Sequence, residues 1–538
     1  MRHSKVRSLL VALALTAPTA AAQCELDLLT DGDLNSQLGY ALAVDGTTLV
    51  VGARFDSSAG PGAGAVYVYQ WSPPGWTLET VLTASDAAPN DTFGYSVALD
   101  GERLVVGANT ADGTVVQAGA AYVFERTGRT WTEQAKLVAP QPLVKERFGE
   151  SCAVDGDTIL VGMHVADDVA PVAGRAYHFE PGPGGWQLVQ TFASSGSHVH
   201  DHFGLSFALD GDRLLVGARH DDEGGEDAGA VYYFERQAGL FVEQQKLVPQ
   251  VASGPAFAGA WVAVDGDTAV IGAPLANVTA GLSGACAVYD WVAGQGWVEV
   301  ATLASTSVPG NAQLGTSVDI RGDWILAGAP GGGPLGQGSA HLFERTPNGF
   351  TEHTQVVPDS TQTLDQFGRS VALGSLGAFV GAPLADPSAP RSGAVYVLGT
   401  AAAQALALSS APASLSLASG GTQTLSLDGC GGLGNRFYLV LGSATGTAAG
   451  PLVDGLTLPL TVDGYTLLTL SHPGTAPLIG SSGFLAPDGS ATATFALPSG
   501  APATLAGSTL WHAALVFDVP GAGDVLAISF TTSLILEG

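Results

Sequence analysis

The sequence predicts an all-β chain: a seven-bladed β-propeller whose N-terminal strand closes the last blade, followed by a C-terminal β-sandwich. Three observations predict it. A phrase of the type FGYSVALDGERLVVGA occurs in seven variants at near-constant spacing. Glycine is abundant, at 73 residues, while charged residues make up only 13%, roughly half the usual quarter. The periodic part also ends on an incomplete unit and begins with a spare strand.

The period is read from fixed glycines. The Gly of the FG position recurs at Gly39, Gly94, Gly149, Gly204, Gly259, Gly315 and Gly368, in steps of 55, 55, 55, 55, 56 and 53. The Gly of a later GA pair follows at Gly52, Gly107, Gly162, Gly217, Gly272, Gly328 and Gly381, with the same steps. A third phrase (GAVYVY, GAAYVF, GAVYYF) keeps the rhythm. Each unit therefore reads as four strands. SVAL and RLVVGA flank Asp-Gly, which supplies the positive φ of a two-residue hairpin turn. AVYVF is the third strand, and the fourth opens on an aromatic: Trp76, Trp131, Trp186, Phe241, Trp297 or Phe350. Units of this size and strand number suit propeller blades. The seventh stops after its third strand at Leu398, and CELDLLT ahead of the first unit supplies a strand of the fourth type. Pairing the two would complete the last blade and leave no open edge at the seam.

The remaining segments follow in chain order. Residues 1–22 have a basic start (Arg2, Lys5, Arg7), an apolar run and an Ala-rich end, which is the pattern of a secretory signal peptide cleaved before Gln23. A lipid anchor on Cys24 is the rival reading, but the bulky Gln23 stands where such sites want a small residue. The propeller is expected over 23–400, a linker over 401–412 and the sandwich over 413–538, where alternating runs such as SLSLASGGTQTLSL and ATATFAL are separated by turn signals. No later stretch is apolar and long enough to span a bilayer. The mature chain is expected to be secreted, cell-surface or periplasmic.

Removing the three basic residues of the leader leaves 17 Lys and Arg against 49 Asp and Glu, a net charge of −32. Phosphate backbones would be repelled, so nucleic acid is not an expected partner. Four cysteines are too few for a disulfide scaffold. Cys152 and Cys286 fall in strand-like contexts and read as buried free thiols, and spacing does not decide whether Cys24 pairs with Cys430.

FG, a short hairpin and then GA or GAP (Gly272-Ala273-Pro274, Gly328-Ala329-Pro330, Gly381-Ala382-Pro383) resemble the FG-GAP repeats of integrin-alpha-type seven-bladed propellers. The likeness covers about residues 24–400. The resemblance implies a ligand face formed by the loops between second and third strands and between blades. It also implies calcium loops in some hairpins, and there this sequence departs from the family. VALDGERL and AVDGDTI leave no room for oxygen ligands at alternate positions, so Asp45, Asp100, Asp155, Asp210 and Asp265 read as turn formers.

Two loops of the fourth repeat carry the only concentrated chemistry. SHVHDHFG puts His198, His200 and His202 at alternate positions, and ARHDDEGGEDAG offers Asp221 and Asp222. The first reading is polar surface in an acidic protein. The second is a divalent-metal site at these blade-4 loops, since imidazole with carboxylate suits Zn, Mn or Ni. Arg321-Gly322-Asp323 spells an adhesion tripeptide but replaces the DG turn of the sixth repeat, so hairpin geometry already accounts for it. His341 stands at a repeated Tyr position and reads as core. No nucleophile elbow, zincin, P-loop or dinucleotide motif is present. The expected function is a non-catalytic exported protein, with propeller loops on one face presenting a ligand surface for extracellular protein or polysaccharide. A polysaccharide-acting hydrolase or lyase and a structural cell-envelope component are the alternatives.

Overall fold

Each repeat folds as an antiparallel meander of four strands, because an apolar-rich run, a DG turn and a second apolar run can bury themselves only by pairing locally. In the second blade the strands are Ser96–Asp100, Arg103–Ala108, Ala120–Thr127 and Thr130–Leu137, paired in chain order. Five other blades repeat that order, from Leu38–Asp45 to Gly349–Val356. The seventh contains Ser370–Gly374, Gly377–Ala382 and Ala394–Leu398, and Glu25–Leu29 pairs antiparallel with the last of these, with Leu29 opposite Val395. The computed structural model describes residues 25–398 apart from 31–32, 73–74, 113–114, 166–172, 197, 252–253 and 359–360, and beyond 398 only strands between 407 and 537. The expected signal peptide over 1–22, Cys24, Cys430 and 401–406 of the expected linker lie outside the described residues.

Among the described residues seven hydrophobic clusters hold the blades, and each straddles one seam rather than filling one blade. Val50, Val66 and Val68 of blade 1 pack with Leu104, Val106 and Tyr122 of blade 2. The seam between blades 7 and 1 is built the same way, with Phe379, Val395 and Val397 against Leu49, Val51 and Trp76. The aromatic that opens the outer strand belongs to this packing: Trp76 meets Phe379 edge-on, with ring centroids 5.2 Å apart.

At every seam the backbones themselves touch. The carbonyl of the FG glycine in one blade lies on the Cα of the GA glycine in the blade before. A Cβ on Gly217 would sit 2.0 Å from Gly259 O, and one on Gly381 would sit 2.1 Å from Gly39 O across the closing seam. Where the first strand carries Ser, its hydroxyl donates to the same carbonyl, as Ser206 Oγ does to Gly259 O at 2.9 Å and Ser370 Oγ to Gly39 O at 2.7 Å.

The turn aspartates do more than turn the chain. Asp45, Asp100, Asp155, Asp210 and Asp265 each accept, through Oδ2, the N–H of the turn glycine in the next blade at 2.6–2.8 Å. The last of these glycines is Gly322, so the Arg-Gly-Asp tripeptide is held as a hairpin in this ring. Beyond 398, Ala407–Ala411, Gly421–Asp428, Ser490–Leu497 and Leu478–Ile479 form one sheet. A second, six-stranded sheet contains Phe437–Ser443 and Thr509–Phe517. No helix among the described residues is long and apolar enough to cross a membrane.

The seam contact separates two kinds of glycine experimentally. Gly217→Ala forces a side chain against backbone and is expected to cost about 3 kcal/mol or more. Gly211→Ala, at a turn glycine with φ 58° and nothing within 4 Å of the new Cβ, is expected to cost roughly 1 kcal/mol from the left-handed backbone alone. Chemical denaturation of the two variants checks this; equal losses would mean that the seam is not a tight contact.

Candidate functional site

The inner strands surround an axial channel of about 640 Å³. Its middle is lined by residues such as Val44, Val97, Phe207 and Val371. Six blades place Ala at the position two residues before the turn Asp (Ala43, Ala98, Ala153, Ala208, Ala263 and, in blade 7, Ala372), and blade 6 places Asp319 there. Blade 6 also has Arg321 where blades 1 to 5 have the turn Asp and blade 7 has Gly374. Asp319 supplies the missing carboxylate: its Oδ2 accepts the N–H of Leu373 in blade 7 at 2.6 Å. Burial pushes its carboxyl up to about 6, against the backbone N–H bonds that favour the anion.

The FG end of the channel is polar, and three repeat positions build it. The residue before FG is Gln37, Thr92, Arg147, His202, Phe257, Gln313 or Gln366, and all seven are left-handed, with φ 57–60°. The residue after FG is Tyr40, Tyr95, Glu150, Leu205, Ala260, Thr316 or Arg369. The residue after GA is Arg54, Asn109, His164, Arg219, Pro274, Pro330 or Pro383. The glycines fix the backbone at these offsets, and all seven residues after FG line the channel, joined by Phe257 and Gln313 of the first set and Arg219 and Pro274 of the third.

Glu150 anchors one side of this mouth. Its Oε1 accepts the Tyr95 hydroxyl at 3.0 Å, and its Oε2 lies 3.2 Å from His164 Nδ1 and 3.3 Å from Asn109 Nδ2. Burial would raise the Glu150 carboxyl, but His164, Arg147 and Tyr95 outweigh it and hold it below its ordinary value. Tyr40 lies between two guanidinium groups, with Arg54 3.8 Å and Arg369 4.6 Å from its ring centroid, and Arg369 Nη2 donates to its hydroxyl at 2.9 Å. Burial raises the Tyr40 phenol, yet the two cations bring it below its usual range. On the opposite side Arg219 Nε donates to His220 Nε2 at 3.0 Å, which leaves the proton on Nδ1 to bond Asp227 Oδ1 at 2.6 Å. His202 sits between His164 and His220, with ring centroids 4.9 and 4.5 Å away. Burial, then the charges of His164, His220 and Arg219, push it down to about 3.

The five residues expected to share a metal are not brought together. His198 and His200 are exposed on the blade-to-blade loop, while His202 alone turns to the mouth. Asp221 is buried and already bonded to the Tyr232 hydroxyl at 2.8 Å, Lys246 Nζ at 2.8 Å and the Glu223 N–H at 3.0 Å. Asp56 makes the same Tyr and backbone bonds in blade 1, so this is a repeated loop device. Asp222 accepts the N–H of Asp227, as Asp112 accepts that of Gln117 in blade 2. Among the described residues no three His, Cys, Asp or Glu side chains are arranged to hold a metal ion. His341 is buried, bonded to Ser339 Oγ and Glu352 Oε1. Cys152 and Cys286 are free thiols pushed up to about 12 by burial.

Reading the loops for clustered His and Asp therefore misses Tyr40, Tyr95, Glu150, His164, Arg219 and Arg369. A signal for them exists in the sequence: residues adjacent to invariant glycines that change from Arg to Pro or from Tyr to Ala between repeats.

A family model described as FG-GAP repeat matches residues 28–69, 76–124, 131–179, 186–234 and 350–398. Each match ends on the third strand of a blade, and the span left between 234 and 350 contains blade 5 and the first three strands of blade 6, two blades with the same strand order. No curated protein matches the chain.

Two substitutions give opposite pH signatures. Asp319 binds its proton more tightly folded than unfolded, so its favourable contribution is complete below about 4 and is lost as pH rises through about 6. Asp319→Asn keeps an acceptor for the Leu373 N–H but loses the one for the Ile320 N–H, and is expected to remove the dependence of stability on pH between about 4 and 6. His202 is held neutral, so its contribution is present above about 6.5 and is lost as pH falls towards 3. His202→Gln, the residue found at this position in three other blades, is expected to flatten that acid limb. Melting temperatures from pH 3 to 8 check both; parallel curves for the variants and the parent would refute them.

Proposed function

Residues 25–398 form an FG-GAP seven-bladed propeller, and from that premise we infer a binding or adhesion-type module whose ligand face is the FG end of the axis. The observation that carries this is the mouth itself. An otherwise repetitive scaffold varies its side chains at three positions that point to one place, which is how rigid folds present binding residues. We propose that the module is exported through the N-terminal leader and acts as a secreted, cell-surface or periplasmic binder of extracellular protein or polysaccharide, as the integrin-alpha resemblance suggests. The strand Glu25–Leu29 is then the fastener of the ring, and the strands beyond 407 form the accompanying β-sandwich.

The titratable groups of the mouth support a non-catalytic role. General acid–base work needs a group poised near the operating pH. Here Glu150 and His220 are moved down, His202 falls to about 3, and burial beside Glu150 drives Tyr95 well up. These shifts favour groups that hold a shape and a charge, while Asp319, which also lines the channel and is raised to about 6, is engaged by the Leu373 N–H.

The test is retention of the full chain on a glycan array and on immobilised extracellular proteins, with the recovered ligand examined by mass spectrometry. Tyr40→Ala with Phe257→Ala is expected to abolish retention, while Glu102→Ala and Asp157→Ala on the turn face leave it unchanged. Intact ligand supports binding. Shortened or unsaturated sugars would establish a hydrolase or lyase instead, and full retention by the mouth variant would move the ligand face elsewhere.

A further inference from the structure

The arginines of this propeller divide into two groups. Those on the blade flanks are paired: Arg126 with Glu79 at 2.9 Å, Arg213 with Asp267 at 2.7 Å, Arg236 with Glu180 at 2.8 Å and Arg345 with Asp290 at 2.6 Å. The three half-buried arginines of the mouth are not. Among the described residues no carboxylate lies within 4 Å of Arg54, Arg219 or Arg369, and the bonds they make go to Gln37, His220 and the Tyr40 hydroxyl. In a chain of net charge −29, with 49 acidic residues available, three cations have been gathered at one point with no direct carboxylate partner, and Glu150 and Asp227 act on them only through space.

Their placement has a direction. Arg219 in blade 4 and Arg369 in blade 7 line the channel from opposite sides, and Arg54 stands behind Tyr40. Burial, with Arg369 adding to it, disfavours the charged forms of Arg54 and Arg219, while Tyr40, Tyr95 and Glu150 favour that of Arg369. A bound anion would relieve both costs, because a guanidinium presents its fork of N–H donors to planar or tetrahedral oxyanions. The other groups at the rim specify more than a bare ion. Glu150 offers carboxylate oxygens, Gln313 and Thr316 offer amide and hydroxyl groups, and Phe257 offers an apolar ring. Hydroxyl partners and a ring face beside an anion site suit a sugar, not a peptide side chain.

We propose that the axial mouth binds an acidic sugar residue of an extracellular polysaccharide, its carboxylate or sulfate bracketed by Arg219 and Arg369 and its hydroxyls meeting Glu150, Gln313 and Thr316. This rests on the ligand-face reading above and names its ligand class. Glu150 limits the charge the site accepts, since every anion added lies near one carboxylate already present.

The test is calorimetric titration of the full chain with an oligogalacturonide, a sulfated galactan oligosaccharide, a neutral cello-oligosaccharide, inorganic phosphate and poly-glutamate. Binding is expected for the uronide or the sulfated sugar, whichever carries the right group, and is expected to weaken with salt. Arg219→Gln and Arg369→Gln should each lower that affinity at least tenfold. Glu150→Gln should raise it several-fold, an outcome that damage to the fold would not produce. Equal binding of the neutral sugar, insensitive to the arginines, would overturn the anion site while leaving the ligand face in place. Phosphate or poly-glutamate binding as tightly as the sugars would overturn the sugar assignment, and binding of nothing at all, here and on the array, would overturn both.

Discussion

The structure depends on one contact repeated around the ring: the carbonyl of an FG glycine lying on the Cα of the preceding blade's GA glycine. Any side chain at the second glycine would occupy the space of that carbonyl, about 2 Å away in each seam. The blades can therefore approach only where neither residue carries a Cβ, and this distance sets the geometry of everything radial to it. The seam clusters close because the backbones already touch. The Ser hydroxyl that donates to the same carbonyl works within that spacing, and at the last seam Ser370 meets Gly39, a residue 331 positions away in the chain.

The opposite end of each inner strand is tied by weaker means, and one blade shows how. Five turn carboxylates each reach the next blade's turn glycine, forming a chain of side chain-to-backbone bonds. Blade 6 has lost its turn Asp to Arg321, and a carboxylate two residues earlier, inside the channel, bonds blade 7 instead. The substitute carries a penalty that the exposed turn aspartates avoid, because it holds its charge away from water. A carboxylate retained at that cost marks the inter-blade bond as the reason for the turn aspartates. Hairpin formation alone needs no partner in the next blade.

The scaffold was legible in the sequence and the mouth was not, for one physical reason. Gly39 through Gly368 recur because sterics allow no other residue, so seven copies declare themselves. Asp45 and its equivalents were legible as turns, while their bonds to the next blade needed the ring to be closed first. The mouth residues recur about 55 positions apart and change in type from blade to blade, so no local motif contains them. His198, His200 and His202 illustrate the hazard of the opposite approach. Alternation suggests a common ligand, but residues 200 and 202 are both left-handed, with φ 72° and 57°, and His202 packs between His164 and His220 while His198 and His200 are exposed.

That left-handed backbone is itself an argument about function. Seven non-glycine residues before FG have φ near +58°, a conformation that costs an L-residue roughly 1 kcal/mol or more. Glycine would relieve the strain at each, and the chain uses glycine freely elsewhere, yet none of the seven is glycine. Their side chains are therefore kept for what they do rather than for the backbone they must adopt. Several of them have an identifiable partner at the rim: Gln37 bonds Arg54, Thr92 bonds Asn109, His202 meets His164, and Phe257 meets His220. Strain of this kind persists where the surrounding fold over-determines the backbone, and here the adjoining glycine seam does so. The contact that makes the ring rigid thus also holds a set of unfavourable residues in place around the axis, and the arginines with no direct carboxylate partner stand beside that set.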